Sequence, residues 1–164
     1  MILNIKQTQF GAEPEFEIED TATGETLAKC TSLNHISTEI VFAGQNAYTL
    51  SFEPVLQERE GEKNELMYSI LEHNRPVGSL YTAEVCQKKI LFVSVGYDYY
   101  EIQFYGGMYQ LYEIGLGTDR HYLCLYQDGQ TVAIVHKPTE VKSHLDTYTV
   151  YLENAQYRDI ACIA

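Results

Sequence analysis

From Ile90 to Leu152 apolar and polar residues alternate in short runs that turn dipeptides interrupt, and this pattern commits the second half of the chain to antiparallel strands joined by hairpins. Asp128-Gly129 is the strongest turn signal, because a two-residue hairpin matched to strand twist needs positive φ at both central residues. Gly106-Gly107 predicts a second tight turn. Strands are expected over Ile90 to Tyr97, Tyr99 to Phe104, Met108 to Ile114 and Thr147 to Leu152, with a further hairpin built around Asp128-Gly129.

The first half carries the same signature. Met1 to Gln7 reads as a short strand. Phe16-Glu17-Ile18-Glu19 then alternates apolar with acidic, so period-2 geometry turns Phe16 and Ile18 inward and Glu15, Glu17 and Glu19 to solvent. Asp20 to Gly24 supplies turn chemistry before a return strand that begins at Leu27. The segments Ile36 to Phe42 and Tyr48 to Phe52 add strands, whereas Pro54 to Asn64 is charge-rich, lacks a strand period and reads as an exposed loop or short surface helix. Three hairpins share the pattern aromatic-x-apolar, polar turn, apolar-small-x-apolar. They are Phe16-x-Ile18 with Leu27-Ala28-x-Cys30, Tyr68-x-Ile70 with Val77-Gly78-x-Leu80 around a turn at Asn74-Arg75-Pro76, and Tyr122-x-Cys124 with Val132-Ala133-x-Val135.

About eleven or twelve strands in one domain exceed what a twisted open sheet carries, so the sheet is expected to close into a barrel or split into a sandwich. A chain of 164 residues matches one domain, taken as 1–164, with a mainly β core that needs no staple. The aromatic usage, 14 Tyr and 6 Phe with no Trp, suits half-buried strands whose rings pack while hydroxyls reach water. After Leu152, Asn154 is placed to cap a helix running from Ala155 to Ala164. Its all-apolar end, Ile160 to Ala164, calls for burial, and the chain is expected to stop partway through that helix.

Charge narrows the partners. Eleven Lys and Arg against 23 Asp and Glu give a formal charge of -12, which repels phosphate backbones and anionic headgroups; nucleic acid is excluded as a partner and a membrane surface disfavoured. Lys88-Lys89, Lys137 and Lys142 are too few for a basic footprint and read as solvated turn residues. Cys30, Cys86, Cys124 and Cys162 share no metal-binding spacing, the opening residues lack a cleavable apolar core, and no run approaches the ~20 residues of a membrane span. Reduced thiols in a cytoplasmic protein follow as the expectation.

No constellation points to catalysis, a metal or a cofactor. His121 and Cys124 sit three apart on a strand and face opposite ways. His136 and His144 flank the Pro138 turn without a third ligand, and His35 and His73 stand alone beside turns. Gly78-Ser79 lies within a predicted strand and forms no nucleophile elbow, while Gly115-Leu116-Gly117-Thr118 lacks the third glycine or lysine of a phosphate loop and reads as a hairpin connection. Tyr97, Tyr99, Tyr100, Tyr105, Tyr109, Tyr112, Tyr122 and Tyr126 fall on adjacent strands, either as cross-strand packing or as a binding surface.

The two ends of the chain resemble the tubby C-terminal-like superfamily, in particular its LURP-one-related and phospholipid scramblase-like group. The resemblance is carried by Ile5-Lys6-Gln7 with Phe16-x-Ile18-x-Asp20, and by the run from Tyr122 through Asp128-Gly129, Val132 to Lys137 and Asp146 to Val150, followed by the apolar segment from Ile160. It implies a roughly twelve-stranded barrel around a C-terminal helix, and a role in binding phosphoinositides, proteins or membranes. This chain departs from the lipid-binding members in lacking a basic patch. A ten-residue helix would be only ~15 Å long, short for filling such a barrel.

Three functions remain open at this level. One is a non-enzymatic binding or interaction module for a protein or small apolar ligand. The second is a hydrolase pairing a carboxylate with His121, His136 or His144 at the barrel mouth. The third is a structural subunit that oligomerises through its apolar tail.

Overall fold

A computed structural model describes residues 1–34, 37–43, 47–53, 64–90, 93–116, 119–138 and 145–164. Twelve strands follow in chain order: β1 (Ile2–Gln9), β2 (Glu15–Asp20), β3 (Thr26–Asn34), β4 (Ser37–Phe42), β5 (Ala47–Glu53), β6 (Asn64–Glu72), β7 (Arg75–Ile90), β8 (Val93–Phe104), β9 (Gly107–Leu116), β10 (Asp119–Gln127), β11 (Gln130–His136) and β12 (Thr147–Leu152). Each pairs antiparallel with its sequence neighbours, and β1 also pairs with β12 through Leu3 opposite Val150 and Ile5 opposite Tyr148, so the sheet closes. Of the two architectures the strand count allowed, the barrel is the one formed. Closure leaves no unpaired edge.

Register sets which side chains point inward. Ile18 opposes Ile5 and Ala28, Ala28 opposes Phe42, and the row continues around the wall through Ile40, Tyr48, Ile70, Leu80, Ile102, Leu111, Leu125, Val150 and Leu3, nearly all fully buried. The outer side of β1 to β3 is charged as the alternation predicts, with Lys6 bridging Glu19 and Lys29 bridging Glu17 at 2.9 Å. Such exposed pairs contribute little to stability.

The repeated small residue acquires a structural meaning. Ala28 lies opposite Phe42, Gly78 opposite Phe104 and Ala133 opposite Leu152, so each small position faces into the barrel beside a bulky residue of the next strand. A small residue at each of these positions leaves room on the inner wall for its bulky cross-strand neighbour. Gly78 is the tightest of the three, since a Cβ built there would lie 2.0 Å from the Gln103 carbonyl oxygen. The aromatic-x-apolar half of the pattern holds inward in the first two hairpins only. In the third, Leu123 and Leu125 face in, and Tyr122 and Cys124 face out. The same bulge precedes the small residue in all three hairpins, at Ile18/Glu19, Ile70/Leu71 and Leu125/Tyr126, and in the third it sets Leu125, not Cys124, opposite Ala133. There it also leaves the consecutive pair Val132 and Ala133 buried.

Turns differ from expectation by single residues. Asp128 and Gly129 have φ of 51° and 77°, as the hairpin requires. The β8–β9 turn is Tyr105-Gly106, at 47° and 78°, not Gly106-Gly107. Gly107 opens β9, where a Cβ would lie 3.1 Å from the Tyr109 ring, so close packing accounts for that glycine. The β6–β7 turn is His73-Asn74, at 47° and 62°, with Arg75 and Pro76 already in β7. Ile90 to Tyr97 and Tyr99 to Phe104 are not separate strands; from Val93 they form one, β8, against a longer β7 that contains Lys88 and Lys89. Those two lysines are strand residues rather than turn residues. The Pro54 to Asn64 segment lies outside the described residues up to 63, and Asn64 begins β6.

Asn154 accepts a hydrogen bond from the Gln156 amide, 3.1 Å, and starts a single 3-10 turn (Ala155–Tyr157) that leads into the six-residue helix α1 (Arg158–Ile163). The helix enters the barrel at the end formed by the tight hairpin turns. The Tyr48 hydroxyl donates to Asp159 Oδ2 at 3.0 Å, the Arg158 guanidinium lies 4.8 Å from the centre of the Phe42 ring, and Ile160, Ala161 and Ile163 are buried against the wall. The apolar tail is thus consumed inside its own barrel. Among the described residues no helix is long and apolar enough to cross a membrane.

Candidate functional site

Six helical residues span only about 9 Å. They plug one end of the bore and leave the rest open. Beyond the end of α1 lies a cavity of about 500 Å³, floored by Ile163 and Ala164 and walled by Leu50, Leu80, Leu111 and Leu123. Three polar side chains complete the lining, Tyr68 from β6, Tyr100 from β8 and Glu113 from β9. Register places them. Tyr100 opposes Leu111, and Glu113 is two residues farther along the same inward row, so the tyrosine and the carboxylate are diagonal neighbours. Leu80 opposes Tyr68 on one side and Ile102 on the other, which sets Tyr68 across β7 from the Tyr100 strand.

Burial is the cause of the perturbed protonation in this cavity. It pushes the Glu113 carboxyl above the ordinary glutamate range, because the charged form loses hydration among leucines. Burial likewise raises the Tyr100 hydroxyl, and the negative charge of Glu113 and then of Tyr68 opposes its ionisation further. A carboxyl whose folded pKa exceeds its unfolded one makes the fold bind more protons, so stability is lost as pH rises from 4.5 through the folded value. Glu113→Gln is therefore expected to raise the urea midpoint at pH 7 and to leave it unchanged below pH 4.5. A lower midpoint at pH 7 would show that the charged carboxylate stabilises the fold.

Glu113 was not singled out in the sequence, though the signal was there. Tyr109, Leu111 and Glu113 share one parity of β9, so a charged residue stands on the strand's apolar face.

Cys30 and Cys162 are not reactive centres. Cys30, on the inner face of β3, and Cys162, on α1, are free thiols; burial pushes them up to about 11 and about 12, so at neutral pH neither supplies thiolate. Cys124 is also free and is raised by burial. Cys86 lies outside the described side chains.

The eight tyrosines do not form one surface. Tyr100 and Tyr109 face inward, Tyr105 sits in an exposed turn, and the side chain of Tyr97 is outside the described residues. Tyr99, Tyr112 and Tyr126 form an outer ladder with ring centres 4.9 and 5.4 Å apart. The Tyr99 hydroxyl donates to Glu101 at 3.0 Å and accepts from Gln110 at 3.1 Å. Burial first, and then Glu101, pushes it up to about 12. These are cross-strand packing contacts.

His136 stacks on Tyr122, its cross-strand partner, with ring centres 4.8 Å apart. His73 is in the β6–β7 turn. The side chain of His121, and His35 and His144 altogether, lie outside the described residues, as do Gly117 and Thr118; Gly115 and Leu116 end β9. Lys137 is not simply solvated, since it bridges Asp146 at 2.8 Å and lies 5.3 Å from the Tyr148 ring centre, while Lys142 is outside the described residues. Among the described residues no cluster of three or more His, Cys, Asp or Glu could hold a metal ion.

No protein-family model, curated protein or solved structure matches this chain.

Proposed function

We propose that this protein is a non-enzymatic binding module whose barrel interior takes up one small, mainly apolar ligand. The observation that carries this reading is the cavity of about 500 Å³ left above the short helix, with aliphatic walls and a few polar groups. Sites for small molecules are typically clefts of roughly 300–1,000 Å³ with this kind of lining. The hydrolase reading has less support, because the cavity's described lining offers one carboxylate and no histidine, and His136 is engaged with Tyr122 on a different part of the wall. Oligomerisation through the tail is likewise less favoured, since Ile160, Ala161 and Ile163 pack inside the barrel. A protein partner on the outer face remains compatible with ligand uptake inside.

Two further elements belong to the same reading. Kinship with the tubby C-terminal-like superfamily draws support from the closed twelve-strand barrel and its inward helix, although a fold alone specifies no activity. A reducing, cytoplasmic setting draws support from the free thiols of Cys30, Cys124 and Cys162.

Titration with Nile red, an uncharged apolar fluorophore, tests the proposal. Emission is expected to rise and saturate at one dye per chain. Leu50→Trp and Leu123→Trp, which fill the cavity from opposite sides, are each expected to weaken binding at least about tenfold, the equivalent of ~1.4 kcal/mol. Dye binding that neither folded variant alters would place uptake elsewhere and reject the cavity as the site.

A further inference from the structure

The barrel has two unlike outer walls. On one, Glu15, Glu17 and Glu19 of β2, Lys29 of β3 and Glu39 of β4 stand outward. On the other, none of the described side chains of β10, β11 and β12 is Asp, Glu, Lys or Arg. We infer that this uncharged wall, together with Ile2 at the start of β1, is where a second copy of this chain docks, face to face about a two-fold axis.

Register makes the wall continuous. Ile2 opposes Tyr151 and Tyr151 opposes Ile134; in the next outward row Thr149 opposes His136, which stacks on Tyr122. Ile2, Tyr151 and Tyr122 keep 43, 45 and 48 % of their surface exposed, so large apolar groups from three strands meet water on one patch. Lys6 and Glu101, at its two sides, are engaged by Glu19 and by the Tyr99 hydroxyl. An aromatic centre poor in charge inside a polar rim is the anatomy of a protein contact.

Three features select a second copy as the occupant. The sheet is closed, so it has no strand edge for another chain to extend, and association has to use a face. Each copy carries a formal charge of -12, so two copies meet with least repulsion where neither presents a carboxylate. A basic partner would find its counter-charges on the β2 to β4 wall, and here would leave its own unpaired. The Tyr122, Thr149 and Tyr151 hydroxyls can each donate and accept, which suits a contact in which one patch meets itself.

Size sets the strength. Four strands are about 19 Å across and five residues about 17 Å long, roughly 300 Å² in projection, well under the ~800 Å² per partner of a standard interface. The dimer is therefore weak, with a dissociation constant on the order of 100 µM.

Sedimentation equilibrium of the full chain from about 10 to about 500 µM, in about 0.05 and about 0.5 M NaCl, tests the inference. Dimer is expected above about 50 µM, with a dissociation constant at least about threefold lower in the higher salt, because screening removes repulsion between two anionic copies. Tyr151→Glu and Tyr122→Glu each place a carboxylate in the contact and are expected to weaken it at least about tenfold. Both side chains lie on the outer wall, and a melting temperature near that of wild type checks that the barrel is intact. Val41→Glu adds the same charge at an exposed position of β4 and is expected to leave the constant within about twofold. A chain that stays monomeric at about 500 µM in both salts overturns the inference and leaves the wall to a different protein. A dimer that salt loosens, that neither tyrosine variant weakens, or that Val41→Glu weakens as much as Tyr151→Glu does, overturns it by placing the contact elsewhere.

Discussion

Gly78→Ala is expected to destabilise the barrel by about 3 kcal/mol or more, the upper end of what overpacking a core produces. The added methyl would lie 2.0 Å from the Gln103 carbonyl oxygen and 3.1 Å from the Phe104 Cα, and both obstacles are backbone. A side chain can rotate away from a clash, whereas here β7 and β8 would have to separate at Gly78 opposite Phe104, the pair that ends their ladder beside the Tyr105-Gly106 turn. For a chain of this size each kcal/mol lowers the melting temperature by roughly 2–4 °C, so scanning calorimetry should show a fall of roughly 6–12 °C. A melting temperature within 2 °C of wild type would mean that the β7–β8 contact is looser than its register implies, and that Phe104 does not depend on a missing side chain opposite it.

Ile160→Ala should have a comparable effect by the opposite route. Ile160 is 1 % exposed and is the most deeply buried residue of α1. Truncating such a side chain typically costs 2–5 kcal/mol through lost transfer energy and the void left behind. The closed wall around Ile160 has little freedom to collapse onto the void, and a loss of about 3–4 kcal/mol is expected from guanidinium unfolding. Six residues are too few to hold a helix in isolation, so α1 exists only because it docks. A loss below about 1 kcal/mol would indicate that the Tyr48–Asp159 hydrogen bond and the Arg158–Phe42 contact, not apolar burial, keep the helix in place.

The barrel was legible because its two determinants are local. Strand parity is written in every second residue, and Asp128-Gly129 fixes a turn by its backbone alone. The expectation of a tail buried inside was equally direct, since Ile160 to Ala164 offers no polar face. What the pattern hid was bulge position. An extra residue just before the small position, at Ile18/Glu19, Ile70/Leu71 and Leu125/Tyr126, shifts the pairing without changing composition, so that in the third hairpin Leu123 and Leu125, not Tyr122 and Cys124, form the inward row. Glycine misled in a related way, because Gly106 answers a backbone requirement and Gly107 a packing one, and the two look alike in sequence. The candidate site was harder to foresee. The cavity is a difference between barrel bore and helix length, a quantity that no single residue encodes, and Glu113 becomes conspicuous only once the row it shares with Tyr109 and Leu111 is known to face that space.

The closing pair β1–β12 sets an order on how the molecule can assemble. Eleven of its twelve strand pairings join neighbours in the chain, and only this one unites strands from opposite ends. Loop-closure entropy grows by about 0.6 kcal/mol per doubling of length, so bringing Leu3 to Val150 from an unfolded chain costs about 3 kcal/mol more than closing a four-residue hairpin. Once the meander is laid down, the twist of its own sheet brings the two strands together and most of that cost disappears. The efficient route is therefore hairpins first and seam last. Until the seam zips, the nascent meander presents two long, unsatisfied strand borders, the form of this protein most open to pairing with another chain.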